Sequence, residues 1–197
     1  MANRTDDFNR ANGAIGTPSD AGSAWVVQSG TWEVASNAAT MTGAGTPQAT
    51  AVLESSLADV DVQATFVSSI SDSGLCARAT DDSNYILAAV SATTLRAFKR
   101  DAGSFTQLGS TYTGTISSGD VIKLRVSGDN IIISQNGTDR VTTTSAFNNT
   151  ATKHGLRSND TDTTVFDDFT ITSLAAAGAG QGVIGGGFGA KVIGAGF

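Results

Sequence analysis

Phe166-Asp167-Asp168-Phe169-Thr170-Ile171 is the stretch that decides the fold, because its Asp-Asp-Phe triplet recurs near the other end of the chain at residues 6–8. A β-strand places alternate side chains on one face. This alternation predicts that Asp167 shares a face with Phe169, and that the first Asp of the N-terminal triplet likewise shares a face with its Phe. We expect the first and last strands to lie side by side and to close one sheet.

The two triplets would bring Asp6 and Asp167 to the edge of an apolar layer, where an unpaired charge is costly. The carboxylates then need an arginine, backbone N–H groups or a cation. Arg10 and Arg157 are the candidate arginines. A hard cation such as Ca²⁺ takes about six to eight oxygen ligands. A calcium corner formed by Asp6 and Asp167 is therefore one prediction, and neutralisation by arginine or backbone N–H groups is the alternative.

Composition narrows the class of protein. Ser, Thr, Gly and Ala dominate the 197 residues, only 15% of which are charged, and the net charge is −6. A weakly charged, β-rich composition is typical of extracellular or virion sandwiches more often than of cytosolic enzymes. The negative charge argues against electrostatic binding to nucleic acid. The sequence has neither the apolar segment of a signal peptide nor an apolar run long enough for a membrane span, so we expect neither.

Short strands separated by turns fill the chain up to residue 173, and no segment there has the period of a helix. Residues 60–66 alternate between apolar and polar side chains, as does the strand at residues 121–126. Asn136-Gly137 supplies the positive φ that a tight turn needs. Residues 25–34 predict a short hairpin whose two tryptophans anchor the core. These features predict an all-β, two-sheet antiparallel jelly-roll sandwich.

A resemblance to a known family rests on motifs that follow one another along the chain. They are Asp6-Asp7-Phe8-Asn9-Arg10-Ala11-Asn12-Gly13, Trp25, Gly30-Thr31-Trp32-Glu33-Val34, the strand at residues 122–126, Asn136-Gly137, His154-Gly155-Leu156-Arg157 and Phe166-Asp167-Asp168-Phe169. In this order they resemble the concanavalin A-like lectin/glucanase (laminin-G-like) jelly rolls, more narrowly those of bacteriophage tail and other virion proteins. The resemblance covers about residues 4–173. It implies a jelly roll that often binds glycans and often carries a structural calcium. It supplies no catalytic residue, because the Glu-x-Asp-x-x-Glu-type strand of the glucanase members does not occur in this sequence.

The tail after Leu174 is rich in glycine and has a single charge, Lys191. In it, Val183-Ile184-Gly185-Gly186-Gly187-Phe188 recurs as Val192-Ile193-Gly194-Ala195-Gly196-Phe197. Flexible linkers do not usually repeat apolar residues at a fixed register. The repeat therefore predicts an assembly arm that docks on other virion proteins or on another copy of the chain, with a floppy linker as the alternative. The apolar residues of this arm are Val183, Ile184, Phe188, Val192, Ile193 and Phe197.

The remaining chemical candidates favour structural roles. Cys76 lies alone in a predicted strand and is expected to be a buried, inert thiol. His154 is the only histidine and precedes Gly155 at the start of a strand, so we expect a structural role. The polar runs at residues 81–84 and 159–162 do not match the Asp-x-Asp-x-Asp-Gly pattern of a calcium loop, so they predict solvated turns.

The sequence thus predicts a jelly-roll domain at residues 1–173 and a Gly-rich C-terminal arm at residues 174–197. The predicted function is non-enzymatic: a virion structural protein, either a capsid decoration or a tail or fibre component, assembled in the host cytoplasm. It would display a lectin-like domain, with a cell-surface glycan as a further partner. The alternative is a free carbohydrate-binding module or adhesin domain with a structural calcium. A glycoside hydrolase would need two carboxylates about 5–10 Å apart, which the strands do not offer. No residue is assigned to glycan binding.

Overall fold

Two antiparallel β-sheets, stacked face to face, form the fold in a computed structural model that describes residues 3–43, 48–68, 71–159 and 164–174. Within those ranges the chain forms no α-helix, and so offers no helix that could span a membrane. The two-sheet, all-β architecture predicted from the sequence is confirmed.

The strands are short and follow one another closely along the chain. In order they are β1 (Arg4–Asp6), β2 (Gly13–Ala14), β3 (Val26–Ser29), β4 (Thr31–Ala35), β5 (Ala38–Gly43), β6 (Gln48–Glu54), β7 (Val60–Phe66), β8 (Ser73–Asp81), β9 (Asn84–Ser91), β10 (Thr94–Asp101), β11 (Ser104–Thr113), β12 (Val121–Ser127), β13 (Asn130–Gln135), β14 (Thr138–Thr144), β15 (Lys153–Asn159) and β16 (Val165–Ser173). The nine-stranded sheet has the order β14-β13-β12-β7-β16-β5-β4-β2, with β1 paired to β16. The seven-stranded sheet has the order β11-β10-β9-β8-β15-β6-β3.

The first and last strands lie side by side, as the paired triplets predict. Arg4 is opposite Ile171 and Asp6 is opposite Phe169 in the β1–β16 ladder. The N-terminal and C-terminal strands therefore join the same sheet. Phe169 in β16 and Phe8, two residues beyond the end of β1, are both fully buried in the core.

A β-bulge in β16 changes the predicted faces. The register against β7 shifts between Asp167 and Thr170, and Asp168 has a φ of 49°. A bulge adds one residue to a strand and reverses the alternation beyond it. Phe166 and Phe169 are consequently both fully buried, whereas Asp167 is half-buried. The prediction that Asp167 shares the face of Phe169 through simple alternation is therefore wrong.

The predicted hairpin at residues 25–34 is also wrong, because its two strands belong to different sheets. β3 pairs with β6 in the seven-stranded sheet, and β4 pairs with β5 in the nine-stranded sheet. Gly30 joins them with a φ of 74°, and a Cβ at this position would lie 2.5 Å from the Cβ of Ala49. Only glycine fits where the chain crosses between the sheets. Trp25 and Trp32 are nevertheless buried core anchors, as predicted.

The core lies between the inner faces of the sheets and is built by alternation along each strand. In β7, the apolar residues are fully buried and the polar ones are half-buried. In β8, Leu75 and Ala77 join the central core, whereas Cys76 between them joins a second apolar cluster. Because neighbouring side chains point to opposite faces, this second cluster lies on the outer face of the seven-stranded sheet.

Candidate functional site

The outer face of the seven-stranded sheet carries an open pocket of about 250 Å³, here called the outer groove. Its lining residues are Asp72, Leu87, Ala89, Arg96, Phe98, Phe105, Arg157 and Asn159. Part of its floor is the second apolar cluster, which includes Leu87, Ala89 and the ring of Phe98. The outer groove therefore combines an apolar base with polar and charged walls.

Strand alternation and strand order bring these residues together. In β10, Leu95 and Ala97 point into the core, so Arg96, Phe98 and Arg100 share the outer face. The neighbouring strands β9 and β11 supply the apolar floor and Phe105, and β15 supplies Arg157 from two strands beyond β9.

Aromatic rings and guanidinium groups contact one another in and beside the groove. Phe105 is 42% exposed, and the guanidinium carbons of Arg100 and Arg157 lie 5.3 Å and 5.7 Å from its ring centroid. The guanidinium carbon of Arg96 lies 5.4 Å from the ring centroid of Phe98. At these distances, cation–π interactions stabilise the arginines against the aromatic wall.

Arg157 is held by uncharged acceptors. Its Nε and Nη2 donate to Gln48 Oε1 at 3.2 and 2.8 Å, and its Nη1 donates to the backbone carbonyl of Asp72. Burial lowers the pKa of Arg157 from its ordinary value, because desolvation disfavours the charged form. Arg100, similarly buried, donates to two backbone carbonyls.

Arg96 pairs with the groove carboxylate. Its Nη2 donates to Asp72 Oδ1, while its buried Nε has no hydrogen-bond partner among the described residues. Asp72 precedes β8 and has a φ of 54°. The groove thus offers guanidinium donors, one carboxylate and an exposed ring, which suits a polar ligand with an apolar face.

No residue of the outer groove was predicted from the sequence to bind a ligand. The alternation of Arg96, Phe98 and Arg100 with apolar residues was visible in β10 and could have marked one face as cationic and aromatic. The contribution of Arg157 was not visible, because it depends on β15 lying between β8 and β6 in the seven-stranded sheet.

The terminal carboxylates lie elsewhere, beside the β1–β16 pair. Asp6 is 1% exposed, and Arg10 Nη1 and Nη2 donate to its two oxygens at 2.6 and 3.0 Å. Trp25 Nε1 donates to Oδ2 at 2.7 Å, and the N–H groups of Phe8 and Ser19 donate to Oδ1. This is the predicted alternative to a cation: an arginine together with backbone N–H groups.

This arrangement does not fit Asp6 as a calcium ligand, because N–H donors already occupy both of its oxygens. Arg157, the other candidate partner, lies in the outer groove instead. Across the described part of the chain, no three His, Cys, Asp or Glu side chains are grouped so that they could hold a metal ion.

Asp167 lies in an acidic environment. Its Oδ1 accepts the N–H of Asp168 at 2.8 Å. Burial raises the pKa of Asp167, and the nearby carboxylates of Asp168, Asp7 and Asp6 raise it further. The ionised side chain therefore disfavours the folded state, and the stability contribution of this group rises as the pH falls through its raised pKa.

We expect Asp167→Asn to raise the melting temperature at neutral pH, because the neutral amide removes repulsion from three carboxylates. Asp168→Asn, at an exposed position, is the matched control and should change it less. The difference should shrink in high salt. Melting with Ca²⁺ and with a chelator tests the calcium prediction: a bound calcium would raise the melting temperature of the parent protein, and Asp167→Asn would then lower it.

His154 is a buried structural residue, as predicted. Its Nδ1 accepts the N–H of Arg78 at 3.1 Å, so its Nε2 carries the proton and donates to the carbonyl of Leu57 at 2.8 Å. Burial lowers the pKa of His154 to about 4. Cys76 is buried, and burial raises the pKa of its thiol to about 12, so this thiol is inert.

Residues 81–84 form a turn that is satisfied internally. Asp81 Oδ1 accepts the N–H of Ser83 and the amide of Asn84, both at 2.8 Å, which agrees with the predicted turn. Residues 160–162 of the second polar run lie outside the described residues. So do all the arm residues, Val183, Ile184, Phe188, Val192, Ile193 and Phe197.

Comparison with known proteins gives likenesses of structure only. No protein-family model and no curated protein sequence matches the chain. Carbohydrate binding module CBM66 from Bacillus subtilis superposes with a TM-score of 0.61 at 19% identity, over 76% of this chain and 95% of that one. The GH43 protein BlXynB from Bacillus licheniformis gives 0.58 at 15%, over 87% of this chain but only 39% of that one. The VIP36 exoplasmic/lumenal domain, in its Ca²⁺/Man3GlcNAc-bound form, gives 0.53 at 10%, over 79% and 86%.

These likenesses show the fold. The chain is a two-sheet antiparallel jelly-roll sandwich, the fold that its motifs also predict. This fold serves binding modules, lectins and glycoside hydrolases alike, so function must be argued from the site itself.

Proposed function

We propose that the chain is a non-enzymatic, glycan-binding jelly-roll protein whose ligand occupies the outer groove. The observation that carries the proposal is the groove itself, in which the exposed ring of Phe105 lies beside the guanidinium group of Arg157, and the ring of Phe98 beside that of Arg96. A sugar ring presents an apolar face and a rim of hydroxyl groups. Aromatic side chains suit the apolar face, and charged donors suit the hydroxyl groups.

The structural likenesses support the same proposal. The names of two of them, a carbohydrate binding module and a Man3GlcNAc-bound form, refer to sugar ligands of those proteins. A pocket of about 250 Å³ is small beside the roughly 300–1,000 Å³ of drug-sized ligand sites. The groove therefore suits one or two sugar units of a chain that continues into solvent.

Phe105→Ala is expected to weaken glycan binding at least about tenfold, because a buried aromatic contact is worth roughly 1.5–3 kcal/mol. The measurement is a glycan-array screen followed by titration calorimetry on the best ligand. Val67→Ala is the control, since Val67 is 40% exposed and lies outside the groove. If the Phe105→Ala and Val67→Ala variants bind the glycan equally well, the ligand does not bind in the outer groove.

Catalysis is not part of the proposed function. Glycosidases of the common type use two carboxyl groups about 5–10 Å apart. Among the described lining residues of the groove, only Asp72 carries a carboxylate, and that group pairs with Arg96. The preparations used for binding should release no reducing sugar from any polysaccharide that they bind. Turnover that disappears when a single carboxylate is replaced would overturn this part of the proposal.

The wider setting that we favour is a virion assembled in the host cytoplasm, with the jelly roll displayed as a capsid decoration or as a tail or fibre component. Support comes from the repeated apolar sequence of the arm at residues 174–197 and from the motif resemblance. The rival setting is a free carbohydrate-binding module or adhesin domain with a structural calcium. The likeness to CBM66 fits a free binding module about as well as it fits a displayed jelly roll.

Deleting residues 175–197 separates the two settings. The described strands end at Ser173, so the truncated chain should remain folded and soluble. In a virion protein it should no longer join its assembly, because the apolar residues of the arm would be missing. A variant with Phe188→Ser and Phe197→Ser serves as a full-length comparison. Normal incorporation of the truncated chain would overturn the docking role of the arm, whereas failure of the full-length chain to join any assembly would favour the free module.

A further inference from the structure

The outer groove concentrates positive charge on an acidic protein. The chain has a net charge of −6 with only 12 Lys and Arg residues. Three of these, Arg96, Arg100 and Arg157, contact the two phenylalanine rings of the groove. Asp72 is the one carboxylate among the described lining residues. Two guanidinium groups, those of Arg96 and Arg157, therefore meet one carboxylate in the lining of the groove, and the guanidinium group of Arg100 lies beside the ring of Phe105.

Two of the three arginines are buried without an ion pair among the described residues. Arg157 is 6% exposed and Arg100 is 4% exposed, and their hydrogen-bond acceptors are amide and carbonyl oxygens. Burying a guanidinium without a negative partner is costly. A negatively charged ligand would give these arginines a direct ionic partner, adding to the charge of the Asp72 carboxylate near Arg157, and charge-assisted hydrogen bonds would strengthen its binding.

The third arginine has donor capacity on the groove wall. Nε of Arg96 is buried and has no hydrogen-bond partner in the described ranges, and Nη2 is bound to Asp72. That carboxylate side chain is 49% exposed, and an ion pair with an exposed member is worth little. A ligand oxyanion can therefore replace Asp72 at small cost and accept a charge-assisted hydrogen bond from Nη2 of Arg96.

The aromatic wall points to a sugar as the carrier of the negative charge. A free inorganic anion would use the guanidinium donors but not the rings of Phe98 and Phe105. We infer that the ligand is an acidic saccharide whose carboxylate or sulfate group binds between Arg96 and Arg157. This inference rests on the proposed glycan-binding function and adds the chemical class of the glycan.

Matched pairs of polysaccharides test the inference on the full chain. Polygalacturonate is compared with its methyl ester, which keeps the same sugars but masks the carboxylates. Dextran sulfate is compared with dextran, so that sulfate is distinguished from carboxylate. Titration calorimetry or affinity electrophoresis should show at least about tenfold tighter binding of one acidic probe than of its neutral counterpart. Added salt should weaken that binding.

Substitutions locate the charge recognition. Arg96→Gln should weaken binding of the acidic probe at least about tenfold while leaving the neutral counterpart little changed. Arg140→Gln removes the same charge from an exposed position in the other sheet and is the control. Asp72→Asn removes the competing carboxylate and should tighten binding of the acidic probe, a gain that a merely structural role would not produce. Arg96 is part-buried, so its variant is expected to fold, which melting checks.

The possible outcomes separate this inference from the function on which it rests. Equal affinity for the acidic and neutral members of each pair, with Phe105→Ala still weakening binding, overturns the acidic class and keeps the glycan-binding function. Acidic binding that Arg96→Gln, Arg157→Gln and Asp72→Asn all leave unchanged overturns the assignment to this groove. Failure of every saccharide to bind overturns both proposals.

Discussion

Asp6→Ala is expected to lower the free energy of unfolding by about 3–5 kcal/mol, the range for breaking a buried charge pair. The side chain of Asp6 is fully buried and joins the N-terminal segment to the core through Arg10 and through the Trp25 indole N–H. Without the carboxylate, the buried N–H groups of Trp25 and Phe8 lose their acceptor. Chemical denaturation monitored by tryptophan fluorescence measures the loss.

Asp7→Ala is the matched control for this experiment. Asp7 is the next residue, carries the same charge and is exposed. Within the described residues its carboxylate accepts a single N–H, that of Asn9, at 3.1 Å, so its replacement should cost less than about 1 kcal/mol. Similar small losses for the two variants would mean that the Asp6 network does not hold the N-terminal segment in place.

Acid is expected to destabilise the fold through His154. The pKa of this residue is about 4 in the folded state, against an ordinary value of 6.5. A lowered histidine pKa means that the unfolded chain binds a proton before the folded one does. Stability is therefore full above about pH 6.5 and is lost as the pH falls towards about 4. The loss is about 3 kcal/mol, at about 1.4 kcal/mol per pH unit.

The single histidine simplifies this experiment, because no other side chain of the chain has an ordinary pKa between about pH 5 and 6.5. Asp167, whose pKa is raised, changes the stability in the opposite direction as the pH falls, and it is present equally in the parent and in the variant. Lowered carboxyl pKa values, such as that of Asp120, act at lower pH. His154→Gln should flatten the dependence of the unfolding free energy on pH across that window, even if the variant is less stable throughout. If the slope of the unfolding free energy against pH is the same in His154→Gln and in the parent, the folded state does not lower the pKa of His154.

Short alternating strands with regular turns were sufficient to predict the sandwich, and the repeated Asp-Asp-Phe triplet was sufficient to predict the adjacency of its terminal strands. Neither pattern predicted the bulge in β16. Simple alternation places Phe166 and Phe169 on opposite faces, yet both are buried. Two large aromatic residues three positions apart in a strand are a readable sign of an inserted residue. The extra residue is accommodated at Asp168, which has a positive φ. As a result Asp167 lies outside the core.

The candidate site could be predicted only in part, because its residues come from distant parts of the chain. Arg96, Phe98 and Arg100 alternate along a single strand, β10, so their shared outer face could be predicted from the sequence. Asp72 and Arg157 join it only through the strand order of the seven-stranded sheet. The crossing at Gly30 was missed for a similar reason: a Ser-Gly turn looks the same whether the next strand pairs with the last one or changes sheet.

The pairing of β1 with β16 has a mechanical consequence. Asn3 and Ser173 are adjacent, and the Ser173 N–H donates to Asn3 Oδ1 at 2.8 Å. A pull on residues 3 and 174 in opposite directions reaches the Arg4–Ile171 pair first, and then the two pairs beyond it in turn. Because the ladder bonds lie across the strands, such a pull opens them one after another, like a zipper, rather than shearing them together. The fold should therefore resist only a low force applied between its two ends. Such a force would detach β1 and its buried Asp6 network before it acts on the rest of the two sheets.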